Sequence, residues 1–224
     1  MLQNVEAKEA MGAGGRGISV RVGQARSISV GGSEVENAKV GIVKTLPKCI
    51  GQGVIGHDFL RKYVLTIDYR HNKLTFAEPE EYRGDDQFPH TSMPLRLARP
   101  DRPLILVDVL VNARKTYPFI LDTGASQTVV SPLLAGQMGI LSTREDAIIG
   151  AGGVVGSFAG RLKSLRIGDA SLGGVPVIVS DIFSQLIQAV GTDMDGILGY
   201  NVLRRFKLII DYPNARIQFQ FQKE

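Results

Sequence analysis

The chain repeats itself. The stretch GVIGHDFLRKYVLTIDYRHNKLTF, from Gly53 to Phe76, lies without a gap over GILGYNVLRRFKLIIDYPNARIQF, from Gly196 to Phe219. Gly53, Gly56, Leu60, Arg61, Leu65, Ile67, Asp68, Tyr69 and Phe76 are identical to Gly196, Gly199, Leu203, Arg204, Leu208, Ile210, Asp211, Tyr212 and Phe219. Earlier in each copy, Gly12-Ala13-Gly14-Gly15 matches Gly150-Ala151-Gly152-Gly153. A repeat constrains a fold more than composition does, because each copy should form the same supersecondary unit and the two should bury their apolar faces together. We therefore expect one unit over residues 1–78 and a second over residues 95–224. Residues 79–94 join them, inside a stretch from Ala77 to Asp101 that is rich in Pro and acids and reads as a surface linker.

The copies are not equally complete. In the second, FILDTGASQTVVS (119–131) precedes the glycine cluster. The interval from Asp122 to Gly150, measured back from Gly12, falls ahead of Met1, and Met1 itself lies opposite Gly139. The chain thus reads as a fragment or as having a misassigned start, with a further D-T/S-G expected upstream. Without its strand and helix, the first copy should expose apolar surface and sheet edges.

Within the second copy, LILVDVLV and TYPFIL read as strands joined at Asn112 to Lys115. Ser131, Pro132 and Gly139 give cap, first-turn proline and terminal glycine around LLAGQM, a short helix. SFAGRLKSLRIG and VPVIVSDIF read as strands, Gly199 to Phe206 as a short helix, and FKLIIDY with ARIQFQF as a hairpin turning at Pro213 and Asn214. The expected class is all-β with a few helical turns.

Composition narrows function by exclusion. With 44% hydrophobic and 21% charged residues in 224, disordered and collagen-like classes are out. Apolar runs such as LILVDVLV fall far short of the roughly 20 residues that cross a bilayer. The N-terminal MLQNVEAKEAMG carries acids and no apolar stretch, unlike a signal peptide. The net charge of +4 comes from dispersed Lys and Arg interleaved with acids, so no nucleic-acid stripe is expected. Cys49 is alone, and His57, His71 and His90 lack ligand spacing, so neither a disulfide, a metal nor another cofactor is expected.

The chemistry concentrates at Asp122. Phe119, Ile120 and Leu121 should bring this carboxylate into low-dielectric surroundings, Gly124 leaves room for close backbone approach, and the Thr123 hydroxyl can lock the turn. A single acid so placed is inert towards amides. Two carboxylates a hydrogen bond apart share one proton, because both cannot ionise together. The ionised one takes a proton from the attacking water, and the protonated one polarises the scissile carbonyl.

Three motifs in order, the apolar-DTGAS turn, the Gly-Ala-Gly-Gly segment and the ILGYNVL stretch leading to IIDY, resemble those of the retropepsin-like aspartic proteases, in particular a bacterial aspartyl-protease family in which two units can lie in tandem. The resemblance spans about 95–224 completely, and about 1–78 without the first β-hairpin. It implies an acid-protease fold of two pseudo-symmetric β lobes, and an endopeptidase acting on an extended peptide or protein. Asp122 then resembles the catalytic aspartate, with Thr123 and Gly124 completing its turn. Gly150, Ala151, Gly152 and Gly153 resemble the tip of the flap that closes over substrate. Ile197, Leu198 and Gly199 resemble the apolar loop beneath the turn; Val54, Ile55 and Gly56 keep that loop in the first copy, and Gly12 to Gly15 its flap. The second carboxylate would come from a second chain, in a homodimer, or from a missing upstream segment.

Two other motifs fail on context. GAGGRG satisfies G-x-G-x-x-G at Gly12, Gly14 and Gly17, but the charged VEAKEAM before it is not expected to be a strand, and ISVRV after it alternates as one. Ser126 is not in a nucleophile elbow, since Thr128 replaces the second glycine. The competing function is a retropepsin-shaped peptide-binding or assembly module without catalysis; the intact Thr123 and Gly124 argue for the enzyme.

Overall fold

The computed structural model describes residues 3–11, 17–44, 53–84, 89–141, 144–150 and 153–222. Strands dominate. The N-terminal copy opens with β1 (Gln3–Met11), β2 (Gly17–Val30) and β3 (Ser33–Val43), an antiparallel three-stranded sheet. A four-residue helix, α1 (His57–Leu60), leads into the hairpin β4 (Val64–Asp68) and β5 (Lys73–Ala77). After β6 (His90–Pro94) and β7 (Arg96–Arg99) come β8 (Arg102–Val111), β9 (Lys115–Leu121), β10 (Val129–Val130) and α2 (Pro132–Met138). The long antiparallel strands β11 (Arg144–Gly150), β12 (Gly153–Ile167) and β13 (Ala170–Ser180) follow. Then α3 (Phe183–Val190), β14 (Gly196–Leu198), α4 (Tyr200–Leu203), β15 (Phe206–Asp211) and β16 (Arg216–Phe221) complete the chain.

An eight-stranded sheet runs β11-β12-β13-β10-β14-β9-β8-β7, with β12 also pairing β8. A five-stranded sheet runs β5-β4-β15-β16-β6 and joins the two copies through β4 and β15. The larger core fills the space between these sheets: Val107, Val109, Phe119, Leu162, Leu165 and Ile167 meet Leu208, Ile210, Ile217 and Phe219. Strand alternation explains this, because residues two apart share one face.

The joint between the copies is symmetric. Leu65 pairs with Ile210 and Ile67 with Leu208, while Thr66 faces Ile209, its own counterpart in the sequence repeat. The flanking turns also agree. Gly56 has φ −104° and ψ −174°, Gly199 φ −105° and ψ −179°, and the helices they open end at Arg61 and Arg204 with nearly the same angles.

Local signals are obeyed where they are strong. The Ser131 hydroxyl accepts from the Leu134 N–H at 3.1 Å, Pro132 opens α2, and Gly139 closes it at φ +64°, a left-handed conformation that suits glycine. Four elements depart from expectation. Helix α3 was not expected, the strand reading of VPVIVSDIF stopping at its first residue; its Phe183, Leu186, Ile187 and Val190 follow helical spacing, and the face they form packs on the smaller core. Within the stretch expected to be linker, β6 pairs with β16 and β7 with β8, since main-chain pairing at a sheet edge needs no apolar periodicity. Before GAGGRG stands β1, a strand despite its charges, and the next described element is β2, which pairs antiparallel with it and is a strand where the fingerprint needs a helix, so the dinucleotide fingerprint still fails. Cys49 and Gly12 to Gly15 lie outside the described residues. Among the described residues no helix is long and apolar enough to cross a membrane.

Candidate active site

Asp122 leaves the end of β9, where Phe119, Ile120 and Leu121 are 0%, 5% and 7% exposed. β14 runs parallel alongside, pairing Gly196 to Leu198 with Phe119 to Leu121. The approach is close: a Cβ on Gly196 would sit 2.1 Å from the Phe119 ring, so only glycine fits. The ladder continues into the turn, where the Asp122 N–H donates to Leu198 O at 3.0 Å. The carboxylate is half-buried. Its Oδ1 accepts from the Gly124 N–H at 2.8 Å, and a Cβ on Gly124 would press on that same oxygen at 3.2 Å. Gly124 therefore accommodates the acid itself, a role different from the backbone approach expected.

The turn is locked by a residue that sequence reasoning missed. Thr123 is exposed, whereas Thr128 is fully buried. The Thr128 N–H and hydroxyl both donate to Asn201 Oδ1, at 2.7 and 2.8 Å, and the hydroxyl accepts from the Gly199 N–H at 3.2 Å. Asn201 then donates through Nδ2 to Pro176 O at 2.8 Å. The Tyr200 N–H holds Ala125 O at 2.8 Å. Gly199 is packed so tightly beneath the turn that a Cβ would lie 2.3 Å from Gln127 O. The available signal was a polar residue, Thr128, leading two valines into a strand.

Gly150 and Gly153 pair at the end of the β11–β12 hairpin; Ala151 and Gly152 lie outside the described residues. Ile148 and Val155, a cross-strand pair below that tip, pack on the same apolar cluster as Ala125 of the turn, together with Val129, Ile197 and Leu186 and Ile187 of α3. This cluster brings hairpin, turn and α3 together. Among the described residues no group of three or more His, Cys, Asp or Glu could hold a metal.

The N-terminal copy differs at its matching loop. Ile197 and Leu198 are 7% and 0% exposed, but Val54 and Ile55 are 77% and 43% exposed. No strand equivalent to β9 covers them among the described residues. Aromatic pairs cross the joint in both directions: Tyr69 meets Tyr200, and His57 meets Tyr212, each edge-on with centroids 5.5 Å apart. Burial, then Tyr200 and Asp122, push the Tyr69 phenol up to about 12, and burial alone takes Tyr212 to about 12. Burial and then Arg61 lower His57, opposed by Asp58.

Residues 107–202 match the model of a family described as aspartyl protease. Among solved structures, the chain is similar to a retropepsin-like aspartic protease from Rickettsia conorii, at 19% identity over 59% of this chain and 91% of that one, with a TM-score of 0.42. It is also similar to the EIAV protease complexed with the inhibitor HBY-793, at 20% identity over 47% of this chain and 90% of that one, with a TM-score of 0.35. No curated protein matches the chain.

Proposed function

We propose that this chain is an aspartic endopeptidase in which Asp122 is one member of the catalytic pair, a reading supported by the match of residues 107–202 to a family described as aspartyl protease. The observation that carries the reading is a half-buried carboxylate on a turn braced by Leu198, Thr128 and Asn201, whose Ala125 packs on the same cluster as Ile148 and Val155 of the β11–β12 hairpin. Such bracing suits a reaction that depends on position. With a second carboxylate beside it, one shared proton leaves one acid ionised to activate water and the other protonated to polarise the peptide carbonyl. Thr123 and Gly124 complete the turn, and Gly150 to Gly153 cover an extended peptide.

In this reading the chain comprises two units, 1–78 and 95–224, and the second carboxylate arrives on a D-T/S-G turn seated on Val54 and Ile55. Their exposure, set against the burial of Ile197 and Leu198, supports this source. A second copy of the chain is the less supported source, because β15 is already flanked by β4 and β16. The test is cleavage of an unfolded protein at about pH 4 to 6, comparing the chain extended upstream to carry the D-T/S-G turn this reading requires with its Asp122→Asn variant. Loss of cleavage in the variant is expected; equal activity, or activity insensitive to pepstatin, overturns the reading. Light scattering on the same sample distinguishes the two sources, since the favoured one requires a monomer.

A further inference from the structure

Strand alternation gives the five-stranded sheet at the joint a second face. Leu65, Ile67, Leu208 and Ile210 turn into the larger core, so Thr66, Asp68, Lys207 and Ile209 stand on the opposite side. There they line a pocket of about 360 Å³, together with Lys73 and Thr75 of β5 and with Tyr82 and Gly84 of the segment that follows it. The register arranges this lining in two rows. Asp68 lies between Lys207 and Lys73, and Thr66 between Ile209 and Thr75. With strands about 4.8 Å apart, the two lysine backbones are about 10 Å from each other, and their flexible stems can bring both ammoniums onto one group. Neither the Asp122 turn nor its brace contributes to the lining.

The charges in the lining do not cancel. Two lysines accompany one carboxylate, and that carboxylate is already engaged: Asp68 Oδ1 accepts from the His71 N–H at 3.1 Å and from Gln222 Nε2 at 2.7 Å, and Oδ2 lies 2.9 Å from His71 Nδ1. Glu78, Glu80 and Glu81, just before Tyr82, are exposed and do not line the pocket. The repeat does not demand this lining either. Val64 stands in the first copy where Lys207 stands in the second, and Ile209 in the second where Thr66 stands in the first. The volume lies in the range of small-molecule sites and exceeds what a bare ion fills. We propose that this pocket binds a small phosphate ester, its phosphate held by the ammoniums of Lys73 and Lys207 and the hydroxyls of Thr66 and Thr75, with room beside Tyr82 for the organic part. Two ammoniums match the charge of a phosphate monoester, and the hydroxyls add directed donors. Because Lys73 and Thr75 belong to the N-terminal copy and Lys207 to the other, occupancy ties the copies together across β4 and β15.

The test is calorimetric titration and thermal melting of the full chain with glycerol 1-phosphate, and with succinate as a dicarboxylate of similar charge, at about pH 7.5, where the phosphate is a dianion, and at constant ionic strength. Saturable binding of the phosphate ester is expected, with Tm raised by about 3–5 °C at about ten times Kd. Lys73→Gln combined with Lys207→Gln should weaken it by about tenfold or more, whereas Lys62→Gln, exposed and outside the pocket, should leave it unchanged. Absence of saturable binding, equal binding by the double variant, or succinate binding as tightly as the phosphate ester overturns the proposal. If Lys207→Gln fails to fold, Lys73→Gln and Thr75→Val, both at exposed positions, decide instead, and unchanged affinity in both overturns it. None of these readouts involves cleavage, so this site and the protease reading fail separately.

Discussion

Asn201→Ala tests whether the Asp122 turn is held by one distant amide. Asn201 Oδ1 takes both the N–H and the hydroxyl of Thr128, and Thr128 is 0% exposed. Truncation leaves that N–H buried without a partner, at about 1–3 kcal/mol. The bond from Nδ2 to Pro176 O is exposed and adds about 0.5–1 kcal/mol. The total, about 1.5–4 kcal/mol, corresponds to a fall in Tm of about 3–15 °C for a chain of this size. Because the turn carries Asp122, cleavage should drop by about tenfold or more even where the protein remains folded. Thermal melts and initial rates are measured on Asn201→Ala, Thr128→Val and the double variant. If the amide and hydroxyl act through each other, the double variant loses less than the sum of the singles, by about 0.5 kcal/mol or more. Additive losses, or a Tm fall of under about 2 °C, would refute the bracing argument.

Other outcomes follow from the same geometry. Gly199→Ala places a Cβ 2.3 Å from Gln127 O and should destabilise by about 1–3 kcal/mol with loss of cleavage, whereas Gly56→Ala, with nothing within 4 Å, should stay within about 0.5 kcal/mol of wild type in chemical denaturation. Equal effects at the two glycines would show that crowding beneath the turn does not matter. Burial alone would raise Asp68, but hydrogen bonds from the His71 ring at 2.9 Å, the His71 N–H at 3.1 Å and Gln222 at 2.7 Å hold it below its ordinary value. A depressed folded value means stability that is present above about pH 4 and lost as pH falls further. Asp68→Asn should therefore be less stable than wild type at pH 6 and converge with it in strong acid; a constant gap in denaturant midpoints would contradict this.

Much of the local structure around Asp122 was legible in the sequence, because its signals are local. The DTG turn ends an apolar strand, and Ser131, Pro132 and Gly139 bracket a helix; both are written in neighbouring residues and are obeyed. The missed features have another origin. Thr128 and Asn201 lie 73 positions apart, so neither advertises the other. The bond expected from Thr123 is made by Thr128 because Thr128 points inward, where β10 lies between β13 and β14. Helix α3 carried a readable apolar spacing, but its segment continued a β-rich run and its helical face is defined by the cluster that receives it.

By itself, the sequence determined that two segments share one pattern, that one of them delivers an acid into a small-residue turn, and where its clearest helix begins and ends. Such features depend on periodicity, backbone freedom and side-chain caps within a few residues. Tertiary structure alone decided that β4 and β15 pair symmetrically about Thr66 and Ile209, that Asn201 braces the turn, and that the Tyr69 ring meets Tyr200. The physical reason is that these contacts depend on which faces bury against each other, and that follows from the packing of the whole chain.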